Sequence, residues 1–566
     1  MNWNSNKLES ALWLANGIML AIIVNLVSSI YFFRWDMTAE GRYTIQQPTK
    51  ALLTSLEEEV YVEVFLEGEL NAGFKRLQRA TREMLEEFRV ASGNRLHYEF
   101  SDPAVALSQQ ARTEFMGNLA AKGISPMNVI ENQGGERVER LVFPGALVSY
   151  GGFEKGVMLL KGNRAQSAEE QLNQSIEGLE FELASAVFQL TNTDRKRVGL
   201  VVGHGELDSL EIAGFNNALL DRYDVFKVDL ERKAAIENCD ALVVAKPRRA
   251  FSEQDKLKLD QYVMRGGRLM FLIDKMDAVM DSASRENYFA FPYTLNLDDL
   301  FFKYGVRINN DLVQDRIAAR YPIITGNVGN KPQITPMDWP FFPLANHYAD
   351  HPVTRNLDAA LLRFASSIDT VRATGIKKTP LFFSSAASQK LGTPVKISVN
   401  DLRKNPGMDA FGDGGIPFAY LLEGNFTSLY KGRFLPTGFD TMHIAETGLP
   451  AKIIIVADGD VARNEVNHRT GQPQQLGFDP LSGYTFANQD LLLNMMAYLM
   501  QDDGLIMARN REIKIRPLDK KKIAADRAYW QFVNLVAPVV MLLVYGLLRV
   551  YFRKRKFTNF ESSATK

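Results

Sequence analysis

Two short groups of polar residues have the types and spacing that could do chemistry. The first is Gly203-His204-Gly205-Glu206, in which an imidazole and a carboxylate stand two residues apart beside glycines that let a ligand approach the backbone. His204 and Glu206 could therefore act as a general acid and base, or bind a ligand. The alternative is a tight turn in which His204 only caps or hydrogen-bonds the local backbone.

The second group is Asp458-Gly459-Asp460, which Arg463 and Glu465 follow. Asp458 and Asp460 could bind a ligand or a cation through their carboxylate oxygens. The alternative is a turn whose carboxylates cap the next helix, a common role for aspartate. The residues alone leave both interpretations open.

Several large classes of enzyme are excluded by motifs that the sequence lacks. It contains no GxxxxGK[ST] loop, no GxSxG nucleophile elbow, no HExxH zinc helix and no GxGxxG dinucleotide loop. Cys239 is the single cysteine, which rules out an internal disulfide and a multi-thiolate zinc site. We therefore expect a protein that is not an enzyme and that has neither a cofactor nor a bound metal.

The charge balance bears on possible partners. The 66 Lys and Arg residues equal the 66 Asp and Glu residues, so the formal net charge is zero. A nucleic-acid surface would need a basic excess or a basic stripe. We expect no nucleic-acid partner.

The elements that must position the two polar groups are four short apolar runs, typical of strands buried on both faces of a parallel sheet. They are residues 197–202, 241–245, 269–273 and 452–457. His204 follows the first run and Asp458 the last, so both groups would stand at carboxyl ends of strands, where open α/β sheets bind ligands. We predict a flavodoxin-like α/β domain over residues 195–505, with a long insertion at about 277–445.

The preceding segment, residues 51–194, alternates strand and helix patterns in the order β-α-β-α-β-β-α. This order predicts a thioredoxin-like α/β unit, with its last three strands at 127–131, 136–143 and 146–150. Because the segment has no CxxC pair, the redox chemistry of that fold is excluded. The predicted fold class is therefore α/β throughout the soluble region.

Apolar runs near both ends predict two transmembrane helices, at residues 11–33 and 532–552, that flank this large soluble region. The first run carries no charge and ends in bulky residues, which favours an uncleaved anchor over a signal peptide. Basic residues 553–556 follow the second run, and such clusters are typical of the cytoplasmic side.

These spans divide the rest of the chain by position. Residues 1–10 and the basic tail 553–566 would be cytoplasmic, and 34–50 and 506–531 would be juxtamembrane. Basic residues also crowd the segment before the second span, so charge counting alone leaves the inverted orientation open.

The residues beside the spans resemble a known family. Arg34–Thr44 (RWDMTAEGRYT) resembles the R-x-D-(L/M)-T-x-E-x-R-(Y/F)-(S/T) stretch of gliding-motility-associated ABC transporter auxiliary components of Bacteroidota. Further similarity lies in Phe65–Glu69, Gly203–Glu206, Asn488–Leu499 and Ile515–Asp519. The resemblance covers nearly the whole chain.

The resemblance implies a non-ATPase, accessory or substrate-binding subunit that works with an ABC permease and a separate ABC ATPase in surface gliding. It implies a two-pass protein of the bacterial inner membrane, in contact with the lipid bilayer, with its bulk in the periplasm and both termini in the cytoplasm. It supplies no catalytic residues and no substrate.

Movement driven by ATP would reach the periplasmic domain through the juxtamembrane residues, of which we single out Arg34, Asp36, Arg42, Arg516 and Asp519. Two alternatives stay open. One is a structural scaffold of the motility machinery that binds no small molecule. The other is a membrane-tethered hydrolase that uses His204 and Glu206.

Overall fold

The computed structural model describes most of the chain, in two compact units over residues 1–511 and 512–566. The described residues are 3–30, 45–102, 109–133, 136–161, 168–192, 195–232, 235–283, 288–328, 331–399, 411–436, 444–467, 469–500 and 526–561. The proposed coupling residues Arg34, Asp36, Arg42, Arg516 and Asp519 lie outside them.

The α-helices of the described residues are numbered in chain order. They are α1 (Trp3–Ile30), α2 (Gln47–Thr54), α3 (Ala72–Ala91), α4 (Gln109–Ala121), α5 (Ala168–Thr191), α6 (Ala213–Leu220), α7 (Glu253–Met264), α8 (Met280–Ala283), α9 (Asp298–Tyr304), α10 (Asn488–Met500) and α11 (Arg527–Glu561).

The strands are numbered in the same way. They are β1 (Val60–Val64), β2 (Leu96–Phe100), β3 (Met127–Gln133), β4 (Glu136–Val142), β5 (Gly145–Tyr150), β6 (Phe153–Met158), β7 (Arg197–Val202), β8 (Asp224–Asp229), β9 (Ala241–Ala245), β10 (Arg268–Leu272), β11 (Phe289–Ala290), β12 (Val306–Ile308), β13 (Asp311–Asp315), β14 (Ala318–Val328), β15 (Lys331–Ala345), β16 (His347–Tyr348), β17 (Ala360–Leu361), β18 (Ile368–Thr370), β19 (Ile376–Phe383), β20 (Ser388–Gly392), β21 (Val395–Lys396), β22 (Pro417–Thr427), β23 (Thr447–Val456), β24 (Phe478–Asp479) and β25 (Tyr484–Thr485).

The N-terminal part of the soluble region is a mixed α/β unit built on a four-stranded sheet in the order β2-β1-β5-β6. β1 pairs parallel with β2 and antiparallel with β5, and α3 and α5 pack together in the same core. The last strands differ from the prediction, because β3 and β4 form a separate hairpin and β6 takes the sheet edge. The sequence of β6, FEKGVM, hides this strand, since a largely exposed edge position does not require regular apolar alternation.

The second part is built on an eight-stranded sheet in the order β16-β19-β22-β23-β10-β9-β7-β8. Its five parallel strands, taken in chain order, have the spatial arrangement 2-1-3-4-5, which is the flavodoxin-like order. The four apolar runs of the sequence supply four of these strands, and all five residues of β9 are buried. The direction of the chain across the sheet reverses between β7 and β9, where such folds place ligands.

The insertion predicted at about 277–445 is not an appendage to a purely parallel sheet. Its strands β22, β19 and β16 add to β23 in antiparallel fashion and extend the sheet. Their sequences hide this role, because β22 and β19 pair through β-bulges that interrupt the alternation of inward and outward residues.

Both faces of the large sheet are covered, which explains why four of its five parallel strands are largely apolar; the exception is the edge strand β8. One core packs α6 and α10 against the sheet, with Phe215 and Met496 fully buried. The opposite core packs α7 and α9, with Leu259 and Leu300 fully buried. Burial of apolar side chains on two faces fixes the sheet and therefore the loops at its edge.

The terminal helices differ in what their described residues contain. In α11, residues Tyr529–Phe552 form a 24-residue stretch that is long and apolar enough to cross a membrane. Its most apolar 18-residue window has a mean hydropathy of 2.1, and none of that window is buried. In α1, the apolar stretch within the described side chains is Leu12–Leu26. The structure therefore holds one candidate span among its described residues, and the first predicted span, at 11–33, is not confirmed.

Candidate functional site

His204 lies at the reversal point of the large sheet, in the turn after β7, and only 2% of the residue is exposed. Its ring stacks on Phe251 with the ring centres 3.8 Å apart and the planes 8° from parallel. Nδ1 is 3.3 Å from Glu206 Oε1, and Nε2 is 3.3 Å from Asp255 Oδ2. The imidazole is thus enclosed by one aromatic ring and two carboxylates.

The backbone of this turn is held as firmly as the side chain. Glu206 folds back so that its Oε2 accepts a hydrogen bond from the His204 amide at 2.7 Å. The His204 carbonyl accepts hydrogen bonds from the amides of Arg248 and Arg249, at 2.9 and 2.8 Å. Gly203 and Gly205 have φ angles of 119° and 75°, which favour glycine, so the spacing of the motif is what this turn requires.

The second carboxylate beside His204 comes from the first turn of α7. Ser252 caps that helix, accepting a hydrogen bond from the Asp255 amide at 3.1 Å and donating one to Asp255 Oδ2 at 2.7 Å. Lys258, one turn further, places Nζ 3.0 Å from Asp255 Oδ1. Contacts within α7 therefore fix the Asp255 side chain in the position from which it contacts His204.

The neighbours of His204 and Asp255 shift the pKa values of both side chains. Burial by itself would lower the pKa of His204, but Glu206 and Asp255 outweigh that effect and raise the pKa above its usual value. Burial would raise the pKa of Asp255, but Ser252, Lys258 and His204 outweigh burial and lower it. The raised pKa of His204 favours its protonated form between the two carboxylates, which makes it a weaker candidate for a general base.

The Nδ1 contact has one further feature. The atoms Nδ1 of His204 and Oε1 of Glu206 are close but are not aligned for a hydrogen bond, and neither has another partner in the described part of the protein. When the imidazole is protonated, the two groups attract each other as an ion pair. The local turn accounts for the backbone contacts of His204, whereas its ring contacts Asp255 and Phe251 from another segment. The acid–base role of His204 stays a prediction.

Asp458 and Asp460 belong to a second buried cluster, which also lies at the carboxyl ends of the parallel strands. Together with Asp274 they bring three carboxylate oxygens within 4.8 Å of one another, in the loops that follow β10 and β23. Lys246, which follows β9, places its Nζ 2.9 Å from Asp274 Oδ2 and 2.5 Å from Asp460 Oδ1. The side chains of all four residues are nearly inaccessible.

Backbone amides satisfy the remaining oxygens of this cluster. Asp458 accepts hydrogen bonds from Asp460 N at 2.7 Å and from Arg363 N at 2.6 Å. Asp274 accepts one from Gly459 N at 2.5 Å. A short 3₁₀ helix, Asp460–Ala462, follows, with Gly459 at its N-cap position. Asp458, one residue earlier, accepts hydrogen bonds from the first two amides of that helix, as the turn interpretation of the sequence allowed.

The proton affinities of the three carboxyls differ because their neighbours differ. Burial, together with the charges of Asp274 and Asp460, raises the pKa of Asp458 well above its usual value. Burial is also the main reason that the pKa of Asp274 is raised. For Asp460, Lys246 and Arg463 outweigh burial and lower the pKa. These opposite shifts favour a proton on Asp458 over one on Asp460, whose carboxylate pairs with Lys246.

This donor set fits a cation less well than its carboxylates alone suggest. Three carboxylate oxygens would suit a hard divalent ion. The ammonium group of Lys246, however, already lies among them within hydrogen-bond distance of two. A metal ion would have to displace that ammonium, so the cluster is accounted for as an internal ion network.

The sequence singled out four residues, His204, Glu206, Asp458 and Asp460. The structure places all four at the carboxyl ends of the parallel strands. It brings them together with Lys246, Asp255 and Asp274, which sequence reasoning missed. A signal for two of these was available, because Lys246 and Asp274 are the first charged residues after the apolar runs 241–245 and 269–273. Asp255 had no such signal, since its role depends on how α7 packs.

Comparisons with known proteins assign the chain to a family. Residues 195–495, more than half of the chain, match the family described as an ABC-type uncharacterized transport system, and residues 39–149 match a domain of unknown function (DUF7088). An uncharacterized protein of Borreliella burgdorferi is 21% identical over 569 residues, covering 97% of this chain and 99% of that protein.

Among solved structures, the mmIFT52 N-terminal domain matches 54% of this chain and 97% of its own length, at 10% identity and a TM-score of 0.30. A likeness at that score carries no argument about fold or function. The family match is different, because it spans the whole parallel sheet and both buried clusters described above. The chain therefore belongs to the ABC-type uncharacterized transport system family, as an auxiliary component of such a system.

Proposed function

We propose that this chain is a membrane-anchored accessory subunit, without ATPase activity of its own, that couples an ABC permease and a separate ABC ATPase to a periplasmic domain. The observation that carries the proposal is the unburied apolar stretch Tyr529–Phe552 in a chain whose family belongs to ABC-type transport systems. Such a stretch would place the chain in the bilayer beside a permease.

The state of the polar clusters supports an accessory role rather than a catalytic one. The two ring nitrogens of His204 face Glu206 and Asp255, and Glu206 also accepts a hydrogen bond from the His204 amide. A hydrolase would need one ring nitrogen to face its substrate or nucleophile. Asp460 is likewise occupied by Lys246. Side chains committed in this way stabilise a rigid domain that can transmit movement.

The same observation favours the scaffold alternative over binding of a substrate at these residues. In that alternative the domain docks other motility proteins, and transport of a small molecule is not involved. The link to surface gliding rests on the resemblance of the juxtamembrane and helix motifs to components of that machinery. A strain that lacks the gene should then lose gliding, and unchanged gliding would remove this part of the proposal.

The association with transporter partners can be tested by affinity purification from membranes in mild detergent. The tag should retain one polytopic permease and one nucleotide-binding ATPase. The matched control is the chain without residues 527–561, which we expect to retain neither, because the proposal assigns the contact with the permease to α11. A full-length chain that purifies alone under conditions that preserve other ABC complexes would contradict the proposal.

Orientation needs a separate measurement. We expect protease added outside spheroplasts to cleave the soluble region, because the proposal places that region in the periplasm. Cleavage only after the membrane is permeabilised would place it in the cytoplasm and would reverse the proposed topology.

A further inference from the structure

A second kind of site lies away from the sheet edge, where the N-terminal α/β unit meets the domain built on the large sheet. It is a pocket of about 370 Å³, within the range of about 300–1,000 Å³ in which small molecules bind. One wall comes from β6 and α5, and the other from the turn after α6 and from α10. Pockets between domains are frequent ligand sites because two surfaces enclose the ligand.

The inner surface of this pocket is apolar and aromatic. Phe181, Tyr223 and Ala497 form a buried part of the lining, and Phe188 is partly exposed beside them. Phe153, at the start of the edge strand β6, is 73% exposed although it is a large aromatic side chain. An apolar group in the pocket would bury this surface.

The rim of the pocket carries more positive than negative charge. Four cationic side chains line it, from Lys155, Arg195, Lys196 and Arg222, against the two carboxylates of Glu154 and Asp221. Both carboxylates are already paired, Asp221 with Lys155 at 3.0 Å and Glu154 with Lys122.

Among the cations, Arg222 is the one left over. Arg195 donates to the carbonyl of Leu220, and Lys196 donates to the carbonyl of Met500 at 2.8 Å. In the described part of the chain, the guanidinium of Arg222 has neither an ion-pair nor a side-chain hydrogen-bond partner. A guanidinium presents a planar fork of donors that matches a carboxylate in bidentate fashion.

We propose that this pocket binds a small organic acid in which an apolar or aromatic body carries one carboxylate. The body would lie against Phe153, Phe181 and Tyr223, and the carboxylate would pair with Arg222. The inference goes beyond the proposed accessory function, since the pocket belongs to the soluble region whether or not a permease is bound. It also differs from the strand-end residues, which are occupied by their own neighbours.

The probe for this proposal is 4-phenylbutyrate, which combines an aromatic body with a single carboxylate. Titration calorimetry would use the full-length chain in phosphatidylcholine nanodiscs, with empty nanodiscs subtracted. We expect saturable binding with one site per chain. The neutral 4-phenylbutan-1-ol and the cationic 4-phenylbutylamine should bind at least about tenfold more weakly, because neither can pair with Arg222.

Two variants separate the anionic and apolar parts of the site. Arg222→Gln should weaken 4-phenylbutyrate binding about tenfold and leave the weak binding of the alcohol unchanged. Phe153→Ala should weaken both ligands, and folding should tolerate it because the side chain is exposed. The matched control is Arg232→Gln, at an arginine that is 88% exposed and pairs with Asp229, and it should change nothing.

The proposal is overturned by any of three results. These are absence of saturable binding to the full-length chain, equal binding of the carboxylate and the amine, or an unchanged dissociation constant in Arg222→Gln. A melting temperature of Arg222→Gln equal to that of the unmodified chain establishes that a loss of binding is not a loss of folding.

Discussion

Nζ of Lys246 lies 2.5 Å from Oδ1 of Asp460, and both side chains are about 95% buried. Removing one member of a buried ion pair is strongly destabilising, because the other charge is then buried without a partner. The pair as a whole contributes much less than that loss suggests, because burying both charges is itself unfavourable. The pair therefore holds the carboxyl ends of β9 and β23 in place with little tolerance for single substitutions.

Replacing Lys246 by methionine should lower the free energy of unfolding by about 3–5 kcal/mol, because Asp460 and Asp274 would remain buried without their cation. Chemical denaturation of the soluble region measures this. Lys227→Met is the matched control at an exposed lysine that only donates to Ser209 Oγ, and it should have little effect. Adding Asp460→Asn to Lys246→Met should recover part of the loss, and a double variant no more stable than the single one would refute the pairing.

The two aspartates of the second motif should respond differently to loss of charge. Burial and neighbouring carboxylates raise the pKa of Asp458 well above its usual value, so loss of its charge should matter less than at Asp460. Its two oxygens accept amide hydrogen bonds from Asp460 and Arg363, and an asparagine keeps only one oxygen, so Asp458→Asn should cost about 1–2 kcal/mol. Asp460→Asn should cost about 3 kcal/mol or more, since it leaves Lys246 paired with Asp274 alone. The same denaturation assay compares them. Equal losses would mean that the two carboxyls share one protonation state.

His204 should make stability depend on pH in a predictable direction. Its pKa is raised in the folded protein, so its contribution is complete below the unfolded pKa of about 6.5 and is lost as pH rises through the folded pKa. The stability gap between the unmodified chain and His204→Asn should therefore shrink from about pH 6 towards about pH 9.

The control for that measurement is His347→Asn, at an exposed histidine in β16. It should have little effect on stability, because its side chain is exposed. A His204→Asn gap that grows with pH would mean that the imidazole is held neutral, which would return it to consideration as a general base.

Both terminal helices should hold the chain in the membrane independently. Deleting residues 527–566 should leave the protein in the membrane fraction after alkaline extraction, because the run at residues 11–33 would still anchor it. Deleting both segments should release it. Release by the first deletion alone would show that α11 is the single anchor.

The central strands could be predicted from the sequence because burial on both faces demands apolar residues throughout, as in ALVVA of β9 and KIIIVA of β23. That prediction also placed His204 and Asp458 at one edge. Their partners could not be predicted, since the meeting of Lys246 with Asp460 depends on β10 lying between β9 and β23.

The long hairpin of β14 and β15 could not be predicted for a different reason. Its strands contain several prolines, among them Pro322, Pro336 and Pro343, and proline removes a ladder donor. A strand tolerates proline at positions where its backbone N–H would not donate to a neighbouring strand. The sequence pattern does not reveal which positions these are.

The measurement that tests the account most directly is native mass spectrometry of the assembly extracted from membranes. The account predicts a complex whose mass contains this 63.7 kDa chain together with a permease and an ATPase, and whose dissociation releases all three. A spectrum that shows only this chain, alone or as copies of itself, while a known ABC complex from the same membranes stays intact, would contradict it.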